Sequence, residues 1–260
     1  MKRWLRRGAL SRGYTLAPKV PDAEIIELIR RLRPRSCAAP LIRIGGNGDG
    51  GYLIPDDLEG IEYCFSPGVN RTADFENELA DRGIRSFLAD YSVEHPPLTR
   101  PEFVFDRKFI GARNDEIFMT LADWKQKYLP DYQGDLLLQM DIEGGEYEVF
   151  LNATTELLSS FRIIVVELHS LDRLFDSFAF SIMKSCFEKL LSSFYVVHAH
   201  PNNCRGMVTH HGIGIPEVME MTLYSRRRGQ PGAYRTDFPH ALDVDNCKGR
   251  PSLTLPDCWR

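Results

Sequence analysis

Gly134-Asp-Leu-Leu-Leu-Gln-Met-Asp-Ile-Glu-Gly-Gly-Glu-Tyr-Glu-Val-Phe150 is the stretch on which the fold turns. It runs apolar from Leu136 to Met140, then sets Asp141, Glu143 and Glu146 around two glycines. An apolar run of strand length that stops at carboxylates and glycine reads as a buried parallel strand opening into a cleft. Ligands of open α/β sheets bind at such carboxyl ends.

On both sides of this stretch, strand patterns alternate with helical ones. Residues 61–65, 84–89, 162–168, 195–199 and 218–224 read as strands, and 103–105 and 109–110 as weaker ones. Between them, Phe75, Leu79 and Ala80 share a helix face that stops at Gly83. A helix over 121–128 ends before Pro130, and another starts at Gly144. Leu174, Phe178, Ile182, Phe187, Leu190 and Leu191 predict one long helix. Upstream, residues 22–32 form a short amphipathic helix ended by Pro34, and a glycine-dense loop, 45–51, lies between two short extended pieces. The alternation predicts an α/β fold with a mostly parallel sheet covered on both faces. Loops 91–102 and 201–217 show no pattern.

The bulk numbers narrow the class. With 260 residues, the chain can bury a substantial core. Its formal charge of -4 disfavours nucleic acid as an obligatory partner. No apolar run reaches the ~18 residues of a membrane span, so no integral membrane segment is expected. The basic N-terminus, residues 1–19, lacks the apolar core of a signal peptide and reads as a solvated tail. The six cysteines form no CxxC pair and point to a reduced, cytoplasmic protein rather than a disulfide framework.

Several strand ends carry chemistry. The turn Ser66-Pro-Gly-Val-Asn70 precedes a helix, and Asp90 ends the next strand about 20 residues beyond Gly68, a spacing suited to an acid that binds ribose hydroxyls. With one glycine and no GxGxxG, the turn fits adenosine joined to a small zwitterion, such as S-adenosylmethionine, better than a pyrophosphate. Asp141 is poised to hold an ammonium or take a hydroxyl proton, whereas Glu146 is expected only to cap or solvate a helix N-terminus. His169 ends the next strand and suits proton transfer near neutral pH. Glu143, His200 and Asn203 are expected to bind the acceptor. The glycine loop has no GK[ST], which excludes a Walker-type site. No zinc-like spacing is present, and no metal ligand is assigned.

Leu138-Gln-Met-Asp-Ile-Glu-Gly-Gly-Glu146, Val149-Phe-Leu-Asn-Ala153 and Ile164-Val-Val-Glu-Leu-His169 together resemble the FkbM-type S-adenosylmethionine-dependent methyltransferases. Asp49-Gly-Gly-Tyr52, Phe75-Glu76 and Asp90 look like a methyltransferase-like subgroup of that superfamily. The resemblance covers roughly residues 41–225. It implies a Rossmann-like class I methyltransferase fold with a seven-stranded sheet and O-methylation of a sugar, glycan or other small natural product. Carried over by residue, Gly68 and Asn70 form the turn under the methionine moiety, Asp90 holds the ribose, and Asp141 lies beside the methyl donor. The chain departs from the family where Ser66-Pro67 replaces the usual acid before the glycine turn, which leaves Asp49 or Asp141 to contact the ammonium. Asp141 and His169 are then the expected catalytic residues.

The expected organisation is a basic extension over 1–40, a methyltransferase domain over 41–228 and a C-terminal tail over 229–260 packing on or extending it. Two other readings stand beside this one: a metal-dependent nucleotide-sugar transferase using Asp141-Ile142-Glu143, and a non-catalytic binding protein of the same fold. Self-association into a homo-oligomer, cation dependence and the identity of the acceptor are open at this level.

Overall fold

The structure is a computed structural model that describes residues 9–13 and 16–260. Most of the basic N-terminal stretch read as a solvated tail therefore lies outside the described residues. In chain order the elements are α1 (Asp22–Leu32), β1 (Leu41–Ile44), β2 (Tyr52–Pro55), β3 (Tyr63–Pro67), α2 (Asp74–Asp81), β4 (Arg85–Ala89), β5 (Phe103–Asp106), β6 (Phe109–Gly111), β7 (Phe118–Thr120) and α3 (Leu121–Tyr128). They continue with β8 (Leu136–Met140), α4 (Glu146–Asn152), α5 (Thr155–Ser159), β9 (Phe161–Leu168), α6 (Ser177–Ser193), β10 (Phe194–Pro201), β11 (Met207–His210), β12 (Ile213–Pro216) and β13 (Met219–Ser225).

Seven strands form the central sheet in the order β10-β13-β9-β8-β3-β4-β5. All run parallel except β13, which pairs antiparallel with both β9 and β10. This is the expected seven-stranded, mostly parallel sheet. Successive residues of a strand point to opposite faces, and β8 shows the consequence. Leu136, Leu138 and Met140 join a core with α1, α3, α4 and α6, whereas Leu137 joins the core with β1, β2 and α2 on the other face. With both faces covered, β8 and β9 are buried along their whole length. Their sequences are accordingly near-continuous apolar runs.

Three local expectations are corrected. The helix read from Leu174 to Leu191 is broken: Leu171–Phe175 is a 3-10 turn, and α6 starts after it. The break is an N-cap, because the Asp176 carboxylate accepts from the amides of Phe178 and Ala179 at 2.8 and 3.0 Å. The segment 201–217, read as loop, holds the hairpin β11–β12, and β7 forms just before the helix at 121, where no strand was read. These strands are three or four residues long, too short for a periodic signal.

The cysteines also differ from expectation. Cys204 and Cys247 form a disulfide, while Cys37, Cys64, Cys186 and Cys258 are free. Cys64 and Cys186 are buried and pack as small hydrophobes. Beyond β13 the chain lies against the sheet edge and the hairpin. The buried Trp259 donates its indole N–H to the Gly214 carbonyl at 2.9 Å. No helix among the described residues is long and apolar enough to cross a membrane.

Candidate functional site

The turn after β3 is clamped between its two neighbours. The Gly68 amide donates to the Ala89 carbonyl at the end of β4 (2.9 Å), and the Asp141 amide donates to the Pro67 carbonyl (3.2 Å). Gly68 has φ +95°, and a Cβ there would stand 1.5 Å from the Asp141 carbonyl oxygen. Only glycine permits this approach. It fixes Asp141 directly beside the turn.

Asp90 is buried at the end of β4. Its Oδ2 accepts from the Asn70 amide at 2.9 Å, and its Oδ1 accepts from the Ser92 amide and hydroxyl at 2.7 and 2.6 Å. Oδ2 therefore has a lone pair left for a ligand hydroxyl. The carboxylate borders a cavity of about 490 Å³ whose apolar wall includes Phe109, Ile110, Phe118 and Ile142. A second cavity of about 260 Å³ is polar, lined among others by Asp49, Tyr52, Arg71, Thr72 and Gln139. Gly68, Asn70, Asp141 and Glu143 border both, so the two cavities adjoin at the ends of β3 and β8.

Asp141 and His169 end adjacent strands, with His169 Nε2 at 3.9 Å from Asp141 Oδ1. Burial pushes the Asp141 carboxyl up to about 7 against the pull of His169, with Glu143, Glu146 and Asp49 adding to the rise. Glu146 does more than the expected capping or solvation. It is fully buried, accepts from the amides of Ile142 and Gly144 at 3.3 and 3.0 Å, and takes a 3.0 Å hydrogen bond from His169 Nδ1. That bond sets the tautomer and turns Nε2 toward Asp141, Glu143 (3.5 Å) and Glu167 (3.7 Å). Desolvation works against the imidazolium, yet the Glu146 bond and the charges of Glu146, Asp141 and Glu143 outweigh it and hold the His169 pKa above its ordinary value. Glu143 projects into solvent from a left-handed backbone, φ 56°.

His200 and Asn203 border neither cavity. Asn203 is committed to the tail: its amide donates to the Cys247 carbonyl at 3.1 Å, and its Oδ1 accepts from the Cys247 amide at 2.8 Å. The buried His200 has Nδ1 at 3.6 Å from Asp243, which also stands 2.9 Å from His198 Nε2. These two histidines hold the Asp243 carboxyl far below the usual range despite its burial. The tail thus covers the expected acceptor residues His200 and Asn203, a long-range contact that strand-end position could not reveal.

Two further residues were not singled out from sequence. Glu220 pairs in register with Glu167 across β13 and β9, and Asn246 donates to both Glu220 and Asp49. Burial pushes Glu220 up to about 7 and Glu167 well above the usual carboxylate range. For Glu220, the available signal was a charged residue inside an otherwise apolar strand. For Asn246 there was none.

Residues 119–194, from β7 to the start of β10, match the family model described as the methyltransferase FkbM domain. No curated protein matches the chain. Among solved structures, a fibrillarin/Nop5p complex aligns at 16% identity and TM-score 0.38, over 65% of this chain and 74% of that one. A putative DNA modification methyltransferase encoded within a prophage (E. coli) aligns at 8% identity and TM-score 0.40, over 64% and 47%. The methyltransferase CalO6 aligns at 10% identity and TM-score 0.26, over 64% and 58%. The domain match and the sheet order support a methyltransferase.

Proposed function

We propose that this chain transfers a methyl group from S-adenosylmethionine to a hydroxyl of a sugar, glycan or other small natural product. The observation that carries the reading is the pair of adjoining cavities, one apolar beside Asp90 and one polar beside Asp49 and Arg71, with Gly68 and Asp141 in the wall between them. That division suits a ligand with an aromatic ring at one end, a diol in the middle and a zwitterion at the other.

The residues present fit such a donor. Phe109, Ile110, Phe118 and Ile142 offer an adenine slot, and Asp90 Oδ2 has capacity for a ribose hydroxyl. Arg71 and Thr72 suit the carboxylate, and Asp49 or Asp141 the ammonium. Asp141 Oδ1 is buried without a hydrogen-bond partner, as expected of a group whose partner arrives with the ligand. When bound, the donor supplies an activated methyl on a sulfonium. The protein's part is alignment and proton removal. Backbone clamping of the Gly68 turn holds Asp141 in place, which favours a near-attack geometry. Glu146 orients His169 as an acid orients the imidazole of a catalytic dyad, so that the Asp141–His169 pair can take the acceptor proton. Residues 41–228 would form the catalytic domain, with 229–260 packed against it.

Calorimetry with S-adenosylhomocysteine tests the donor site: Asp90→Ala should weaken binding at least about tenfold, or ~1.4 kcal/mol, in a chain that still folds. Unchanged affinity would remove Asp90 from the site. With labelled donor and a panel of glycans and small hydroxylated products, Asp141→Asn and His169→Ala should each cut turnover by ~10²–10⁴. Wild-type turnover in both variants would sink the proton-transfer assignment.

A further inference from the structure

Three carboxylates that the methyl-transfer reading does not need as a group converge beside it. Asp49, Glu167 and Glu220 each present an oxygen within 4.8 Å of the other two. They come from three distant parts of the chain: the glycine loop between β1 and β2, the end of β9, and the start of β13 opposite Glu167. Glu167 and Glu220 are about 95% buried.

Three carboxylates this close need either protons or a positive partner to offset their repulsion, and the protein provides little positive charge. Their hydrogen bonds come from neutral amides: Asn246 Nδ2 to Asp49 and Glu220, and Asn202 Nδ2 to Glu167 at 2.9 Å. Arg43 lies near but donates to the carbonyls of Gly46 and Gly48, both at 3.0 Å. Among the described residues no lysine or arginine ion-pairs with the three acids; His169 stands 3.7 Å from Glu167, and His200 and Arg43 act on Glu220 only through their charge. Glu167 Oε2 is buried without any hydrogen-bond partner, as is Asn246 Oδ1. Native proteins seldom leave such atoms unsatisfied unless an ion or water takes them.

We propose that Asp49, Glu167 and Glu220 bind a hard divalent cation, such as magnesium, manganese or calcium. An all-oxygen donor set selects this class over zinc or copper. Oxygens up to 4.8 Å apart span such an ion, since metal–oxygen distances of ~2.1–2.5 Å put opposite ligands ~4–5 Å apart. Turning the Asn246 amide over would bring its unpartnered Oδ1 to the ion as a fourth ligand. Asp49 also lines the polar cavity, so the ion is reachable from there. The groups Asp141, Glu143, His169 and Asp22, His210, His211 are also close enough to hold a metal. They are the weaker choices, because His169 already offsets the charge of Asp141 and Glu143, and Asp22 is already paired with Lys19 and His211.

The test is an electron paramagnetic resonance titration of the full chain with manganese chloride, without methyl donor. The expected result is one ion per chain, displaced by magnesium or calcium. Binding should weaken at least tenfold in Glu167→Gln, Glu220→Gln and Asp49→Asn, and stay unchanged in Glu143→Gln and Asp22→Asn. Asp49 is on an exposed loop, so Asp49→Asn remains informative if a buried variant loses its circular dichroism spectrum. Wild-type protein that binds no manganese at millimolar concentration would overturn the site. So would binding that survives Asp49→Asn, or binding lost in Glu143→Gln or Asp22→Asn. Manganese binding that follows the expected pattern in a protein without methyl transfer would keep the ion site and remove only the donor reading.

Discussion

The Ser66 hydroxyl carries one proton but meets two oxygens, Glu76 Oε1 and, at 2.6 Å, Gln139 Oε1. Both contacts are satisfied if Glu76 is protonated, so that its carboxyl donates to Ser66 and Ser66 donates to Gln139. Burial pushes the Glu76 carboxyl up to about 7, outweighing its contact with Ser66. The folded chain therefore holds a proton between pH ~4.5 and ~7 that the unfolded chain has released. Stability from this group is full below about 4.5 and declines as pH rises through about 7, by on the order of 3 kcal/mol. Denaturant midpoints at pH 5 and pH 8 should thus differ more for wild type than for Glu76→Gln. Equal pH dependence in the two proteins would contradict a neutral Glu76. None of this was legible in Phe75-Glu76, where the acid looks like any other in the first turn of a helix. Glu146 misleads in the same way, since only the fold shows that it faces His169.

At the scale of elements, most of the framework was readable because each signal is local. The run Leu136–Met140 is apolar at every position but one, and that exception, Gln139, is placed by the fold beside Ser66. Shortening Leu138→Ala, fully buried in β8, should cost ~2–5 kcal/mol in a denaturation experiment. A loss below about 1 kcal/mol would mean that the strand is not packed as described. Capping was legible only in part. Asp176 sits inside an unbroken apolar periodicity, so the periodicity alone carried the helix through it. Asp176→Ala should destabilise the chain by ~1 kcal/mol while leaving the proposed donor site intact, measured as melting temperature against S-adenosylhomocysteine affinity. The hairpin β11–β12 escaped notice because its pairing residues are few and its exposed strand β11 lacks an apolar alternation.

Across the whole molecule, the tail after β13 is tied down at three levels: the disulfide Cys204–Cys247, the Asp243 carboxylate beside His198 and His200, and the buried Trp259. The disulfide closes a loop of 43 residues, which corresponds to about 4 kcal/mol in the chain-entropy account. Replacing both cysteines by alanine should lower the unfolding free energy by ~2–4 kcal/mol. If reduction of the wild type leaves its stability unchanged, the bridge does not form in solution.

The sequence by itself determined the alternation of strand and helix, the clefted ends of β3, β4, β8 and β9, and the glycine turn at Gly68. Periodicity, strand-end polarity and the demand for a residue without Cβ are all properties of short segments. Tertiary structure alone decided which acids meet. Glu146 reaches His169, Glu220 lies opposite Glu167, Asp49 closes over both, and the tail takes His200 and Asn203 away from the cavities. Those outcomes depend on strand order, register and burial across more than a hundred residues, and no local pattern encodes them.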